Sequence, residues 1–308
     1  MRIIFMGNPA FAIPSLQILN DSNHAIAAVL SNAPKPMGRK REYLETAVSQ
    51  AALDMKLNLI HGSDLNDPNL IRVLKNLEPD LFAVAAYRIL PEPILSIPVF
   101  GSINLHGSLL PFYRGAAPIQ RALMNGDYTT GLTTFLIEPE VDKGKILLQK
   151  TIIIDPADDY GSLYKKMSLK GAELLLNTIN QYESGSITPR IQISEQATSA
   201  PKITKNDCRI NWYSTAGSIK NLIRALAPDP AAFTFLNNKR IKIYKAEVVN
   251  KNRNITPGSI IKNTAGELII QTGSDGITIT DLQIEGKRRM GIEEFLKGLK
   301  ISADDSFK

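Results

Sequence analysis

The sequence of 308 residues contains a single cysteine, Cys208, and only three histidines. One cysteine cannot form a disulfide within the chain, and no Cys or His cluster has the spacing of a zinc site, so no metal is expected. No apolar stretch is long enough to span a bilayer, and the short apolar start 1–7 lacks the length of a signal peptide. These absences predict a cytoplasmic protein without a membrane partner.

The chain also lacks a glycine-rich phosphate loop. Its first apolar run ends at Gly7, and Asn8 and Pro9 follow at once. A dinucleotide site needs several glycines there, because the backbone must approach a pyrophosphate closely. This absence counts against NAD-dependent chemistry.

The first part of the chain has no excess of basic over acidic residues. Residues 1–190 hold 18 Lys and Arg against 18 Asp and Glu, so the net charge of +6 arises entirely in residues 191–308. A basic C-terminal part favours a polyanionic partner, and basicity that only aids solubility is the alternative.

Strand-like and helical segments alternate over the first 188 residues. Such alternation predicts an α/β domain with a Rossmann-like, mostly parallel sheet. The expected strands are 2–6, 25–30, 81–87, 102–106, 132–137 and 145–154, and the expected helices are 9–19, 42–56, 69–77 and 160–183.

The texture changes after residue 188. Residues 189–204 have no periodicity and are interpreted as a linker. A helix over 214–226 and short strands separated by Asn, Gly and Asp then predict a small antiparallel OB-like β-barrel domain over 205–308. Its expected strands are 233–236, 240–249, 258–261, 268–272 and 276–284.

A polar pair ends the strand predicted over 102–106. Asn104 and His106 are two residues apart, so both side chains project from one face. An amide can donate a hydrogen bond to a developing oxyanion, and an imidazole can move a proton at neutral pH. The pair suits acyl transfer to an amine; the alternative is that both residues only end a strand.

The surrounding sequence resembles a known signature. Residues 103–111 and 113–119 are similar to the N-L/V-H-x-S-L-L-P-x-Y/W-R-G pattern of the folate-dependent formyltransferases, and residues 114–120 are most similar to the methionyl-tRNA formyltransferases. The resemblance covers nearly the whole chain. It implies formyl transfer from 10-formyltetrahydrofolate to the free amino group of initiator methionyl-tRNA, in support of translation initiation, by a monomer. A UDP-amino-sugar formyltransferase and a catalytically inactive RNA-binding relative are the alternatives.

The same resemblance assigns site residues. Asp142 and Gly144 match the family's D-x-G segment, which makes Asp142 the third catalytic residue beside Asn104 and His106. A turn aspartate that accepts a backbone N–H is the alternative. Residues 86–91 correspond to the family's A-Y-G-x-I-L-P segment, one residue shorter and with Arg for Gly. The folate-binding residues that the resemblance implies are Arg88, Ile89, Leu90, Ser108, Leu109, Leu110, Pro111, Glu138, Pro139, Glu140 and Val141.

Two basic segments are the predicted tRNA contacts. The loop 31–43 resembles the P-x-G-R insertion that the family lays against the tRNA acceptor end, and a second cluster lies in the C-terminal domain. Lys and Arg are the side chains that contact nucleic-acid phosphates, although a solvated basic loop has the same composition. The expected residues are Lys35, Arg39, Lys40, Arg41, Lys287 and Arg288.

Overall fold

A computed structural model describes residues 1–37, 42–264, 266–298, 302 and 305–308. The chain forms two compact units. The first consists of Met1–Ala116, Thr129–Ile153 and Tyr164–Ala200, and the second consists of Ala117–Tyr128, Ile154–Leu163 and Pro201–Lys308. The second unit thus takes in two segments that precede residue 188, and the predicted boundaries at 188 and 205 remain a prediction.

The first unit is built around buried, apolar strands, and short, more exposed strands accompany them. In chain order the strands are β1 (Arg2–Gly7), β2 (Ala25–Ser31), β3 (Lys35–Met37), β4 (Glu42–Leu44), β5 (Leu59–His61), β6 (Leu81–Ala85), β7 (Ser102–His106), β8 (Thr129–Leu136) and β9 (Ile146–Ile153). Seven of them form one sheet in the order β5-β2-β1-β6-β7-β8-β9. The first five of this order pair in parallel and the last two antiparallel. The predicted mostly parallel, Rossmann-like sheet is confirmed.

The helices of the described residues follow the strands in chain order. They are α1 (Ile13–Asn20), α2 (Ala47–Asp54), α3 (Pro68–Asn76), α4 (Glu92–Leu95), α5 (Pro118–Asn125), α6 (Tyr160–Glu183), α7 (Ala216–Leu226) and α8 (Ile292–Gly298). Among these helices, none combines the length and the hydropathy that crossing a membrane requires.

Local chemistry decides where two of the predicted elements begin or end. The helix predicted over 42–56 is wrong at its start, because Glu42–Leu44 pairs with Lys35–Met37 as β4. Helix α2 begins only after Thr46, whose hydroxyl accepts the N–H of Ser49 at 2.9 Å and satisfies a free donor of the first turn. The strand predicted over 81–87 is also too long, because Ala86 adopts a positive φ of 49° and ends β6.

The second unit contains an antiparallel sheet, as predicted. Its strands are β10 (Ala232–Leu236), β11 (Lys239–Val249), β12 (Ile260–Thr264), β13 (Glu267–Gln271), β14 (Gly276–Ile284) and β15 (Met290–Gly291). They pair in the order β10-β11-β14-β13-β12, with β15 on β14, and within the described residues this series is open rather than closed into a barrel. Asn237 and Asn238, both at positive φ, turn the chain between β10 and β11. Helix α7 and the buried Trp212 pack in the core of this unit.

Candidate active site

Strand β7 carries both members of the predicted catalytic pair. Asn104 and His106 alternate with Leu105, so their side chains leave the same face of the sheet. The strand pairs in parallel with β6 and antiparallel with β8, which holds its backbone from both sides. His106 is buried and Asn104 is half-buried. Among the described residues, the Asn104 amide has no hydrogen-bond partner within the protein, so it is free to bind a ligand.

The two nitrogens of the His106 ring face different groups. Nε2 lies 2.9 Å from the carbonyl oxygen of Tyr113, and Nδ1 lies 3.7 Å from Oδ2 of Asp142. A carbonyl oxygen can only accept, so Nε2 carries a proton and donates it. A second proton on the ring would lie on Nδ1, on the side of the Asp142 carboxylate. The structure thus brings together the two residues that the sequence placed 36 positions apart.

Asp142 belongs to the loop between β8 and β9. Its φ is +54°, a conformation that residues other than glycine adopt infrequently. Oδ2 accepts the N–H of Gly115 at 2.8 Å. Asp142 thus accepts a backbone N–H, as the alternative interpretation of a turn aspartate expects. The N–H comes from a distant loop rather than from the same turn, so this bond ties two loops together.

Gly144 closes the same loop against β8. A Cβ at this position would lie 1.7 Å from the carbonyl oxygen of Leu136. Only glycine fits so close an approach of two backbone segments. The glycine of the D-x-G segment therefore has a packing role beside the aspartate that the resemblance singled out.

Gln192 is a site residue that the sequence did not reveal. Its Nε2 donates to the carbonyl oxygens of Asp142 and Gly144, at 2.8 Å each. Its Oε1 accepts from Nε and Nη2 of Arg114, at 3.1 and 2.8 Å. A lone glutamine within an aperiodic, polar segment has no signature, so no pattern could have found it.

The residues predicted to bind folate fall into two groups. The exposed group consists of Ile89, Glu138, Pro139, Glu140 and Val141, and the buried group includes Leu90, Ser108, Leu110 and Pro111, with Arg88 and Leu109 half-buried. Ser108 donates its hydroxyl to the Phe112 carbonyl at 2.6 Å, so its side chain supports the loop after β7. Glu140 is paired with Lys143, whose hydrogen bond lowers the pKa of that carboxyl. The exposed group lies next to Asp142 in sequence or follows the end of β6.

Arg88 turns its side chain toward a neighbouring loop. Its guanidinium donates to the carbonyl oxygens of Gly62 and Ser63 and to the Tyr87 hydroxyl. Burial raises the pKa of Tyr87, and the adjacent Arg88 opposes that rise. The side chain is thus engaged within the protein, which leaves the backbone of 88–90 for the predicted pterin contacts.

The predicted tRNA contacts are described only in part. Lys35 lies exposed on β3, whereas Arg39, Lys40 and Arg41 lie outside the described residues. Lys287 is exposed, and Arg288, 74% exposed, pairs with Glu294 at 2.6 Å. Lys35 belongs to the first unit, and Lys287 and Arg288 belong to the second.

In the described part of the chain, neither a cluster of metal ligands nor the cavity of the second unit coincides with these residues. Among the described residues there is no group of three or more His, Cys, Asp or Glu that could hold a metal ion. A cavity of about 760 Å³ lies in the second unit, near Arg209, Trp212 and Phe307, and no predicted site residue lines it.

Two family models match most of the chain. Residues 1–179 match the model described as formyl transferase, and residues 202–300 match the formyl transferase C-terminal domain. The chain is similar to two proteins named methionyl-tRNA formyltransferase. That of Caldanaerobacter subterraneus subsp. tengcongensis is 43% identical over 98% of both chains, and that of Thermodesulfovibrio yellowstonii is 45% identical over 99% of this chain and 98% of its own.

A solved structure shares the fold at lower identity. The N-formyltransferase of Helicobacter canadensis, in complex with folinic acid and dTDP-3-aminofucose, superposes with a TM-score of 0.66. It is 20% identical, over 91% of this chain and 98% of its own. At that identity the likeness concerns the architecture of the two domains alone.

Proposed function

The chain belongs to the formyl transferase family, and from this premise we propose that it transfers the formyl group of 10-formyltetrahydrofolate to the amino group of initiator methionyl-tRNA. The observation that carries the proposal is similarity along the whole chain, at 43 and 45% identity, to two proteins named methionyl-tRNA formyltransferase. The Asn104, His106 and Asp142 arrangement supplies the chemistry that such a transfer needs.

The reaction forms one bond and breaks another at the formyl carbon. The neutral methionyl amine attacks the carbonyl, the carbonyl oxygen gains negative charge, and the bond to N10 of the folate then breaks. The amine must lose a proton and N10 must gain one. The protein therefore has to stabilise an oxyanion and to move a proton between two nitrogens.

Each of the three residues suits one of these tasks. The unpartnered amide of Asn104 donates a hydrogen bond to the oxyanion, and His106 adds a donor on its Nδ1 side when the ring is protonated. Asp142 accepts the proton of the attacking amine, directly or through a water, and passes it to N10 of the folate as the bond to N10 breaks, while its carboxylate holds the His106 ring. Removing one such donor typically lowers the rate by about 100-fold or more.

The partners follow from the same proposal. The folate donor is held by the exposed residues 138–141 and the backbone of 88–90, next to the catalytic pair in the first unit. The tRNA contacts Lys35, Arg39, Lys40 and Arg41 in the insertion, with Lys287 and Arg288 in the second unit. The enzyme acts as a monomer in the cytoplasm, where charged initiator tRNA is used.

The test is transfer of labelled formyl from 10-formyltetrahydrofolate to charged initiator tRNA. His106→Ala is measured beside the wild type, with His61→Ala as the matched control because His61 is 38% exposed and pairs with Glu45 outside the site. A UDP-amino sugar serves as the competing acceptor. We expect formylated tRNA from the wild type and from the control, and a loss of at least about 100-fold in His106→Ala.

Other outcomes contradict separate parts of the proposal. Transfer to the sugar instead of the tRNA would keep the chemistry and overturn the acceptor. No transfer to either acceptor, with retained RNA binding, would indicate an inactive RNA-binding relative. Equal activity of His106→Ala and the wild type would remove His106 from the mechanism.

A further inference from the structure

The segment 190–200 runs along two loops of the candidate active site. Arg190 and Ile146 exchange both backbone hydrogen bonds at 2.8 Å, next to the loop that carries Asp142. The Arg114 N–H donates to the Thr198 carbonyl at 2.9 Å. The sequence assigned these residues to a linker, but in the structure they belong to the first unit.

Gln192 uses its whole side-chain amide within this arrangement. One end donates to the carbonyl oxygens of Asp142 and Gly144, and the other end accepts from Arg114. The residue is 94% buried, and a buried amide with all of these bonds fixes the groups around it.

The groups that Gln192 contacts lie on either side of the hydrogen bond between Gly115 and Asp142. The Gly115 N–H donates to the Asp142 carboxylate, and Arg114 immediately precedes Gly115. Gln192 therefore binds the backbone of the acceptor residue and the side chain next to the donor residue. Asp142 also adopts a positive φ, which persists only where the surrounding structure enforces it.

We propose that Gln192 is a positioning residue of the formyl transfer reaction, which clamps the loops of Asp142 and Gly115 and thereby sets the Asp142 carboxylate against His106. The inference rests on the proposed function for its kinetic consequence. A displacement of about 1 Å in such a group can lower a rate by about 100-fold. Gln192 acts through Asp142 and makes no contact with substrate in this role.

Gln192→Glu removes the two donors while it keeps the size of the side chain and the acceptor for Arg114. The new carboxylate oxygen would face the carbonyl oxygens of Asp142 and Gly144 and repel them. Gln196→Glu is the matched control, because Gln196 is exposed and lies in the same segment. Gln192→Met provides a second, uncharged variant in case the first fails to fold.

The experiment is a double-mutant cycle with Asp142→Asn in the labelled-formyl assay. We expect Gln192→Glu alone to lower kcat about 10- to 100-fold, with the KM for methionyl-tRNA within about 2-fold of wild type. In the Asp142→Asn background the same change should cost less than about 3-fold, because the group that Gln192 positions no longer works as a base. A merely structural role predicts equal losses in both backgrounds, and that result would overturn the proposal.

Hydrogen exchange at the Gly115 amide separates this inference from the proposed function. We expect exchange at least about 10-fold faster in Gln192→Glu than in the wild type, and unchanged exchange in Gln196→Glu. If the wild type transfers no formyl group but this exchange still accelerates, the function falls and the clamp stands. If transfer occurs and the exchange does not change, the clamp falls and the function stands.

Discussion

At the scale of single residues, the two nitrogens of the His106 ring contact different groups. The Tyr113 carbonyl occupies Nε2, so the remaining nitrogen is the one that faces Asp142. Tyr113 itself adopts a positive φ of 58°, which turns its carbonyl into the site. A neighbour seven residues along the chain thus determines which ring nitrogen is left to face the Asp142 carboxylate.

The Asn104 amide has no hydrogen-bond partner within the described part of the chain, so its removal breaks no hydrogen bond there. We expect Asn104→Ala to lower kcat by about 100-fold and to change the midpoint of thermal unfolding by less than about 2 °C. Steady-state kinetics and thermal unfolding check the two parts, with Asn66→Ala, an exposed asparagine of the first unit, as the control. Unfolding many degrees below that of the control would make Asn104 a structural residue.

The residues of the site were predictable to very different degrees. Asn104, His106 and Asp142 lie in long, specific segments, so the resemblance identified them together. Whether they act as assigned remains a prediction that the kinetics above test. Gln192 could not be predicted from the sequence, because its four hydrogen bonds join residues more than 40 positions apart. No local sequence pattern records such bonds.

At the scale of the elements, the loop between β8 and β9 leaves no room for a side chain at Gly144. Gly144→Ala would place a Cβ 1.7 Å from the Leu136 carbonyl oxygen, so two backbone segments must separate. We expect a loss of at least about 3 kcal/mol in the free energy of unfolding, measured by denaturant titration.

Gly217→Ala in helix α7 is the control for this loss. A Cβ there would have only the Thr215 hydroxyl within 4.0 Å, and alanine favours a helix over glycine. We expect unchanged or slightly higher stability. Equal effects at the two glycines would contradict the close approach at Gly144.

The turn at residues 204–207, which precedes helix α7, gives a pH-dependent prediction. Hydrogen bonds from the Thr204 hydroxyl and backbone N–H, at 2.7 and 2.8 Å, lower the pKa of Asp207, and Arg121 adds to the effect. A carboxyl whose pKa is lower in the folded protein stabilises the fold above its ordinary pKa of about 4, and that stability is lost as the pH falls through the folded value.

We therefore expect Asp207→Asn to lower the free energy of unfolding by about 0.5–1 kcal/mol at pH 7, a value reduced by the partial exposure of the group. The gap from wild type should close as the pH is lowered below about 4. Asp21→Asn, at an exposed position, should show no gap at either pH. A gap that persists at pH 3 would assign the effect to something other than ionisation.

Sequence periodicity predicted the bounds of two long elements. It misplaced the start of a helix where polar contacts determine that limit. Helix α6 and strand β14 have the predicted bounds, because buried apolar residues repeat along their whole length. The start of α2 was misplaced because its limit depends on the Thr46 cap and on pairing of the preceding residues with β3. The backbone hydrogen bonds of 190–200 could not be predicted, since an aperiodic segment shows no pattern that records its backbone partners.

At the scale of the whole molecule, the excess of basic residues beyond residue 190 leads to a prediction about tRNA binding. Lys287 is exposed, and we expect Lys287→Ala to weaken tRNA binding equally for all tRNAs and to reduce the slope of log affinity against log salt by about 1. Binding titrations at several salt concentrations measure that slope. Lys75→Ala, at an exposed lysine in the first unit, should leave it unchanged, and equal slopes for both variants would exclude Lys287 from the interface.

The two units are interleaved along the chain. Residues 117–128 and 154–163 belong to the second unit although first-unit segments precede and follow both of them. No single cut therefore releases either unit intact, and a fragment ending at 188 would also lose Gln192 and the rest of the segment through Ala200. The first unit is not one continuous stretch of sequence that precedes the second. A fragment made to express either unit must therefore include segments of the other.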